Sequence, residues 1–110
     1  MIRANEVVQL FHRAGFGLFT GVPCSYLTPL IDAVIDSKDI RYVGAANEGE
    51  AVAIAAGAKL GGREAVVMFQ NSGLGNAVNP LTSLTTSFEL PVHVITTWRG
   101  EPGAAPDEPQ

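Results

Sequence analysis

Two carboxylates stand in the segment Ala46-Asn47-Glu48-Gly49-Glu50, directly ahead of an alanine-rich stretch. A carboxylate in the first turn of a helix is favoured by the unpaired amides there, so Glu48 reads first as a dipole-stabilising or capping residue. Glu50, three residues after Asn47, has the spacing of a capping box and a structural role. The run Asn71-Ser72-Gly73-Leu74-Gly75-Asn76 is glycine-rich and enters a helix, so its amides could face an anion. It lacks both the P-loop lysine and the dinucleotide fingerprint, and by itself it reads as a turn. Cys24 follows Pro23 at a strand end, but His12 and His93 fall on a helix and inside a strand, so no base is placed to activate a cysteine nucleophile. His93, within an apolar strand, reads as a hydrogen-bonded core residue, and His12 as solvent-facing. Arg99 is the cation of the strand-end loops, open to an anionic substrate or to a surface ion pair.

These residues need a scaffold, and hydrophobic periodicity supplies one. Val7, Leu10, Phe11 and Ala14 follow helical spacing, with Asn5 as cap and Gly15 as stop. Phe16 to Gly21 is a short apolar run, expected as a buried strand. Leu27, Leu30, Ile31 and Val34 mark a second helix after Ser25, a candidate cap, with Pro29 tolerated in its first turn. Ile40 to Ala45 reads as a strand, and the helix opened by Asn47 ends near Gly61-Gly62. Its facing positions Ala51, Ile54, Ala55 and Ala58 are mostly small, which allows a close neighbour. Glu64 to Gln70 is a third strand; the turn at 71–76 leads into a helical segment to about Phe88, with Pro80 kinking or restarting it. Pro91 to Thr97 is a fourth strand, and from Trp98 to Gln110 the chain is rich in proline.

Helices and strands alternate throughout, which implies parallel strands joined by crossover helices: an α/β class in three layers, α/β/α. In such sheets ligand loops lie beyond the carboxyl ends of the strands. Those loops are Gly21 to Ser25, Ala45 to Glu50, Gln70 to Asn76 and Trp98 onward, and all four should share one edge.

Composition bounds the rest. The chain has 110 residues, 46% hydrophobic and 16% charged, the balance of one globular domain. A net charge of −4 and only seven Lys and Arg leave no basic patch for nucleic acid. One cysteine forms no internal disulfide and no zinc-ligand spacing is present, which fits a reducing cytoplasm. No apolar run is long enough for a membrane span, and the N-terminus lacks the pattern of a signal peptide.

Four ordered motifs, Gly21-Val22-Pro23-Cys24-Ser25, Gly44-Ala45-Ala46-Asn47-Glu48-Gly49-Glu50-Ala51, Gln70-Asn71-Ser72-Gly73-Leu74-Gly75-Asn76-Ala77-Val78-Asn79-Pro80 and Thr97-Trp98-Arg99-Gly100-Glu101-Pro102-Gly103, together resemble one family. The chain is similar to the phosphonopyruvate decarboxylases, with sulfopyruvate decarboxylase alpha subunits close by. Both are thiamine diphosphate-dependent 2-oxo acid decarboxylases. The resemblance runs from about Phe16 to Gln110.

The resemblance implies that residues 1–110 are a portion of an N-terminal pyrimidine-binding domain, incomplete at the C-terminus, and that Glu48 bonds the aminopyrimidine ring of the cofactor. By protonating that ring it would favour the imino tautomer, whose nitrogen removes the thiazolium proton. A cofactor is needed because no side chain delocalises the carbanion left by loss of carbon dioxide. Pro23 and the Ser72, Gly73, Leu74 and Gly75 turn would pack near the pyrimidine; Ser25, Asn71, Asn76 and Arg99 are candidates for the substrate. No metal ligand is expected in this chain: magnesium and the diphosphate would be held by a domain or subunit beyond it, since the family continues past the Asp107-Glu108-Pro109-Gln110 motif. The helix after Glu48 is where family members pair, so an oligomer, homo- or hetero-, is implied, and the isolated chain should be inactive. The rival class is a non-catalytic α/β binding or interaction module that retains the fold.

Overall fold

The computed structural model describes residues 1–103; the Asp107 to Gln110 motif lies outside the described residues. Four helices and four strands alternate: α1 (Ala4–Arg13), β1 (Phe16–Gly21), α2 (Thr28–Asp36), β2 (Arg41–Gly44), α3 (Glu48–Leu60), β3 (Glu64–Gln70), α4 (Leu74–Pro80) and β4 (His93–Thr97). The strands form one parallel sheet in the order β2-β1-β3-β4. One face packs against α1 and α2 through Val8, Phe16, Phe19, Ile31 and Val34; the other packs against α3 and α4 through Leu18, Val52, Val67, Phe69 and Ala77. This is the expected three-layer α/β/α arrangement.

The two central strands are buried on both faces, which is why their sequences are nearly unbroken apolar runs. Phe19, Val66, Val67 and Phe69 are completely buried, and each such side chain contributes roughly 1.5–3 kcal/mol relative to exposure. The carboxyl edge of the sheet is stepped. Gly21 ends β1 opposite Gly44 and Met68, whereas β3 runs on to Gln70, opposite Thr97 of β4.

Several local expectations need correction. Arg3, not Asn5, occupies the cap of α1, and Asn5 lies within the first turn. The buried stripe of α1 runs through Val8 and Phe11 and leaves Leu10 60% exposed. The reason is aromatic: Phe11 meets Phe16 and Phe19 edge-on at 5.0 and 5.4 Å, which rotates the helix toward the strand. Ser25 caps nothing; it begins a single 3-10 turn, Ser25–Leu27, and α2 starts after it with Pro29 in its first turn. His93 is exposed rather than a core residue, because β4 is an edge strand, and its ring stands edge-on to Phe16 at 4.7 Å.

The glycine-rich turn is helical as well. Asn71–Gly73 forms a 3-10 turn and α4 begins at Leu74, so Asn76 already lies on the helix. At Pro80 the α-helix gives way to a π-helical segment, Leu81–Thr86. Proline lacks the amide that would continue the ladder. Hydroxyls take up carbonyls around it: Thr82 donates to Val78 at 2.8 Å, Ser83 to Asn79 at 2.6 Å and Thr85 to Leu81 at 2.9 Å.

Among the described residues, two buried hydroxyls, Thr20 Oγ1 and Tyr42 Oη, have no hydrogen-bond partner. Thr20→Val keeps the shape of a fully buried side chain and removes an orphaned donor, so it should stabilise the fold by about 1 kcal/mol, read as a higher urea midpoint. Burial pushes the Tyr42 phenol above its usual value of 10.0, favouring the neutral form in the folded state. That contribution is complete below the unfolded phenol's range and is lost as pH rises through the folded one. Tyr42→Phe should therefore flatten the fall in urea midpoint above that range; an unchanged slope would contradict the assignment.

Candidate active site

The start of α3 divides its labour among three residues. Asn47 is the cap, and its Oδ1 accepts from the Glu50 amide at 3.0 Å. The Glu50 carboxylate reaches back to the Ala46 amide at 3.1 Å, a capping box displaced by one residue. Capping is thus complete without Glu48. Its residue is 8% exposed, and its carboxylate lies over the backbone of Gly73. Asn76 Nδ2 donates to Glu48 Oε2 at 2.8 Å, across a gap of 28 residues. Among the described residues no other hydrogen bond reaches this carboxylate.

Two glycines make this approach possible. A Cβ on Gly73 would fall onto Oε1, Cδ and Cγ of Glu48. A Cβ on Gly49 would stand 2.8 Å from the Asn76 carbonyl oxygen, so α3 and α4 lie close together where the carboxylate and its donor meet. The small positions Ala51 and Ala55 are fully buried within this chain's own core, and Ile54 and Ala58 pack against it. The small face expected to allow a close neighbour thus meets this chain's own sheet and α4; Glu50, Ala53, Gly57 and Leu60 are what α3 leaves exposed.

A second group lies along the same edge. Asn71 clips the loop after β4: its Nδ2 donates to the Arg99 carbonyl at 3.0 Å and its Oδ1 accepts the Arg99 amide at 3.2 Å. The Arg99 guanidinium sits over the Tyr26 ring, 5.1 Å from its centroid, and Nη1 donates to Gln70 Oε1 at 3.3 Å. The Gln70 amide in turn donates to Ser72 Oγ. Cys24, buried after β1, places Sγ 3.9 Å from Thr97 Oγ1. All four strand-end loops are thereby linked at one edge, as the alternation of elements requires.

The candidate residues fall into distinct places. Glu48, Gly73 and Asn76 form one cluster; Asn71, Ser72 and Arg99 belong to the other, joined by Gln70. Leu74 and Gly75 are exposed on the first turn of α4, and Pro23 and Ser25 are exposed in the first loop, outside both clusters. Tyr26, Gln70 and Gly49 were not singled out by sequence. Gln70 and Gly49 lie within the quoted motifs, and Tyr26 stands one residue past the first strand-end loop.

A buried carboxylate with one oxygen held by an amide and the other over a bare backbone suits a polar ring edge. Among the described residues no group of three His, Cys, Asp or Glu is gathered to hold a metal ion.

Comparison with known proteins bears on this geometry. A family model described as thiamine pyrophosphate enzyme, N-terminal TPP binding domain, matches residues 3–110. Phosphonopyruvate decarboxylases of Streptomyces viridochromogenes and Streptomyces hygroscopicus are 54% and 51% identical over the whole chain, which spans 28% and 27% of their lengths. The sulfopyruvate decarboxylase subunit alpha of Methanococcus maripaludis is 36% identical over 92% of the chain and 60% of that subunit. A solved 2-oxoglutarate:ferredoxin oxidoreductase from Magnetococcus marinus superposes with a TM-score of 0.74 at 22% identity, covering 93% of this chain and 18% of that one. At that identity it supports the fold alone.

Proposed function

The chain belongs to the thiamine pyrophosphate enzyme family through its N-terminal TPP binding domain, and on that premise we propose that it is the pyrimidine-binding part of a decarboxylase that converts 3-phosphonopyruvate to phosphonoacetaldehyde and carbon dioxide. The observation that carries this reading is the buried Glu48 carboxylate, relieved of capping by Asn47 and Glu50 and laid over Gly73 at the ligand edge of the sheet.

Thiamine diphosphate, when bound, supplies the electron sink for the carbanion left by decarboxylation. The residues of this chain do the rest of the work at its aminopyrimidine end. Glu48 holds a proton at Oε1 toward the ring and returns it, the general acid-base role that needs a carboxylate at hydrogen-bond distance. Burial keeps water from competing for that proton. Ser72, Gly73, Leu74 and Gly75, with Pro23 from the first loop, form the surface against which the ring packs. Ser25 belongs with the substrate on the same edge.

Arg99 fits the anionic end of the substrate. A guanidinium matches phosphonate oxygens with paired donors, and Tyr26 and Gln70 fix its plane beforehand. Arg99→Met should raise KM for 3-phosphonopyruvate about 10- to 100-fold while leaving kcat nearly intact, the signature of lost ground-state binding. An unchanged KM would remove Arg99 from substrate recognition.

Magnesium and the diphosphate are assigned to a domain or subunit outside this chain, and the resemblance supports an oligomer with the cofactor between units. Exposed Leu74 and Val78, one turn apart on α4, offer it an apolar seat beside the site. The described residues contain no helix long and apolar enough to cross a membrane. A cytoplasmic enzyme of phosphonate biosynthesis, including phosphonate antibiotics, is the setting we assign. Similarity to sulfopyruvate decarboxylase subunit alpha keeps one other substrate in play. Carbon dioxide release by the assembled enzyme from 3-phosphonopyruvate and from 3-sulfopyruvate, with and without thiamine diphosphate, decides between them. Faster turnover of the phosphonate, dependent on the cofactor, is expected; preference for the sulfonate reverses the substrate assignment, and no release from either overturns the reading.

A further inference from the structure

Asn76 is exposed on the first turn of α4, where its amide would ordinarily be solvated. Instead it crosses to a helix far away in sequence and donates to Glu48 Oε2 at 2.8 Å. A close backbone approach accompanies this pairing. The Asn76 carbonyl lies so near Gly49 that a Cβ there would stand only 2.8 Å away, and Pro80 Cγ would be 3.7 Å from the same Cβ. The turn bearing the donor is thus packed directly on the turn bearing the carboxylate. A carboxylate has two equivalent oxygens and rotates readily about its last bond. Asn76 holds Oε2, while Oε1 lies against the Gly73 backbone with no hydrogen-bond partner among the described residues, which leaves it as the oxygen available to a bound ring.

We infer that Asn76 is a positioning residue for Glu48 rather than a contact to the substrate. It selects which carboxylate oxygen exchanges a proton and fixes the plane in which that happens. This rests on the catalytic role proposed for Glu48, and it departs from the substrate role that the family resemblance implied for Asn76. A substrate contact would present the amide to the 2-oxo acid; here the amide is directed to the acid of this chain.

The test has two arms with separate readouts. In the assembled enzyme, Asn76→Leu should lower kcat about 10- to 100-fold, the loss expected for one charge-assisted hydrogen bond, while KM for the 2-oxo acid stays within about threefold. A raised KM with intact kcat would overturn the inference and make Asn76 a substrate contact. In ligand-free protein carrying isotope-labelled asparagine, the Asn76 side-chain amide proton should resonate downfield, exchange slowly with solvent, and lose both properties in Glu48→Ala. Insensitivity of that resonance to Glu48→Ala would overturn the pairing itself. If Glu48→Gln leaves turnover unchanged while the amide signature persists, the catalytic role of Glu48 fails and the pairing stands.

Discussion

Glu48→Gln in the assembled enzyme is expected to lower turnover by about 10²- to 10⁴-fold, the range that a positioned general acid-base group supplies. The substitution is nearly isosteric, and its carbonyl can still accept from Asn76, so the local packing at 8% exposure has no reason to change. What it removes is the ability to hold and return a proton at the ring. The start of α3 does not depend on it, because Asn47 and Glu50 already satisfy the Glu50 and Ala46 amides. Thermal unfolding of the variant should match the parent. Turnover within a few-fold of the parent would return Glu48 to a purely structural role and favour the interaction-module alternative.

Gly73→Ala should be nearly as damaging to turnover, by a different route. Gly73 has φ −78° and ψ −8°, a helical conformation that alanine adopts without strain, so the backbone does not object. The obstacle is the Glu48 side chain, whose Oε1, Cδ and Cγ occupy the place of the new methyl group. Because the far end of a glutamate yields more easily than backbone, the fold should survive with the carboxylate displaced. A displacement of about 1 Å at a catalytic group costs on the order of 10²-fold in rate. Since the effect passes through Glu48, Gly73→Ala combined with Glu48→Gln should be no worse than Glu48→Gln alone. Independent, multiplying losses would show that Gly73 acts through something else.

Much of this scaffold is legible in the sequence, for reasons that differ by element. β1 and β3 are read to their terminal residues because both are buried on two faces, so each is an apolar run that ends where exposure begins. The edge strands β2 and β4 are shorter than their apolar segments, since an edge loses hydrogen-bonded partners on one side. His93 is misplaced by sequence for the same reason: its neighbours are apolar, but strand order, which puts it at an edge, is not written locally. Leu10 follows helical spacing yet faces outward, because three phenylalanine rings decide the rotation of α1.

The site divides likewise. The capping pair Asn47 and Glu50 is visible as a spacing, and so is the acidity of Glu48. Periodicity cannot see that Glu48 bends away from the helix it begins, over Gly73 and toward Asn76, because that depends on how closely two helices approach across 28 residues of chain. The clip between Asn71 and Arg99 is hidden in the same way. Motif resemblance located these residues along the chain, and the packing of the sheet edge assigned them neighbours.

A crystal structure of the assembled enzyme with thiamine diphosphate would decide the matter. A Glu48 carboxylate oxygen should lie about 2.6–3.0 Å from a nitrogen of the aminopyrimidine ring, with Asn76 still bound to the other oxygen. A ring seated elsewhere, with the Glu48 carboxylate solvated and out of its reach, would contradict the role assigned to this residue.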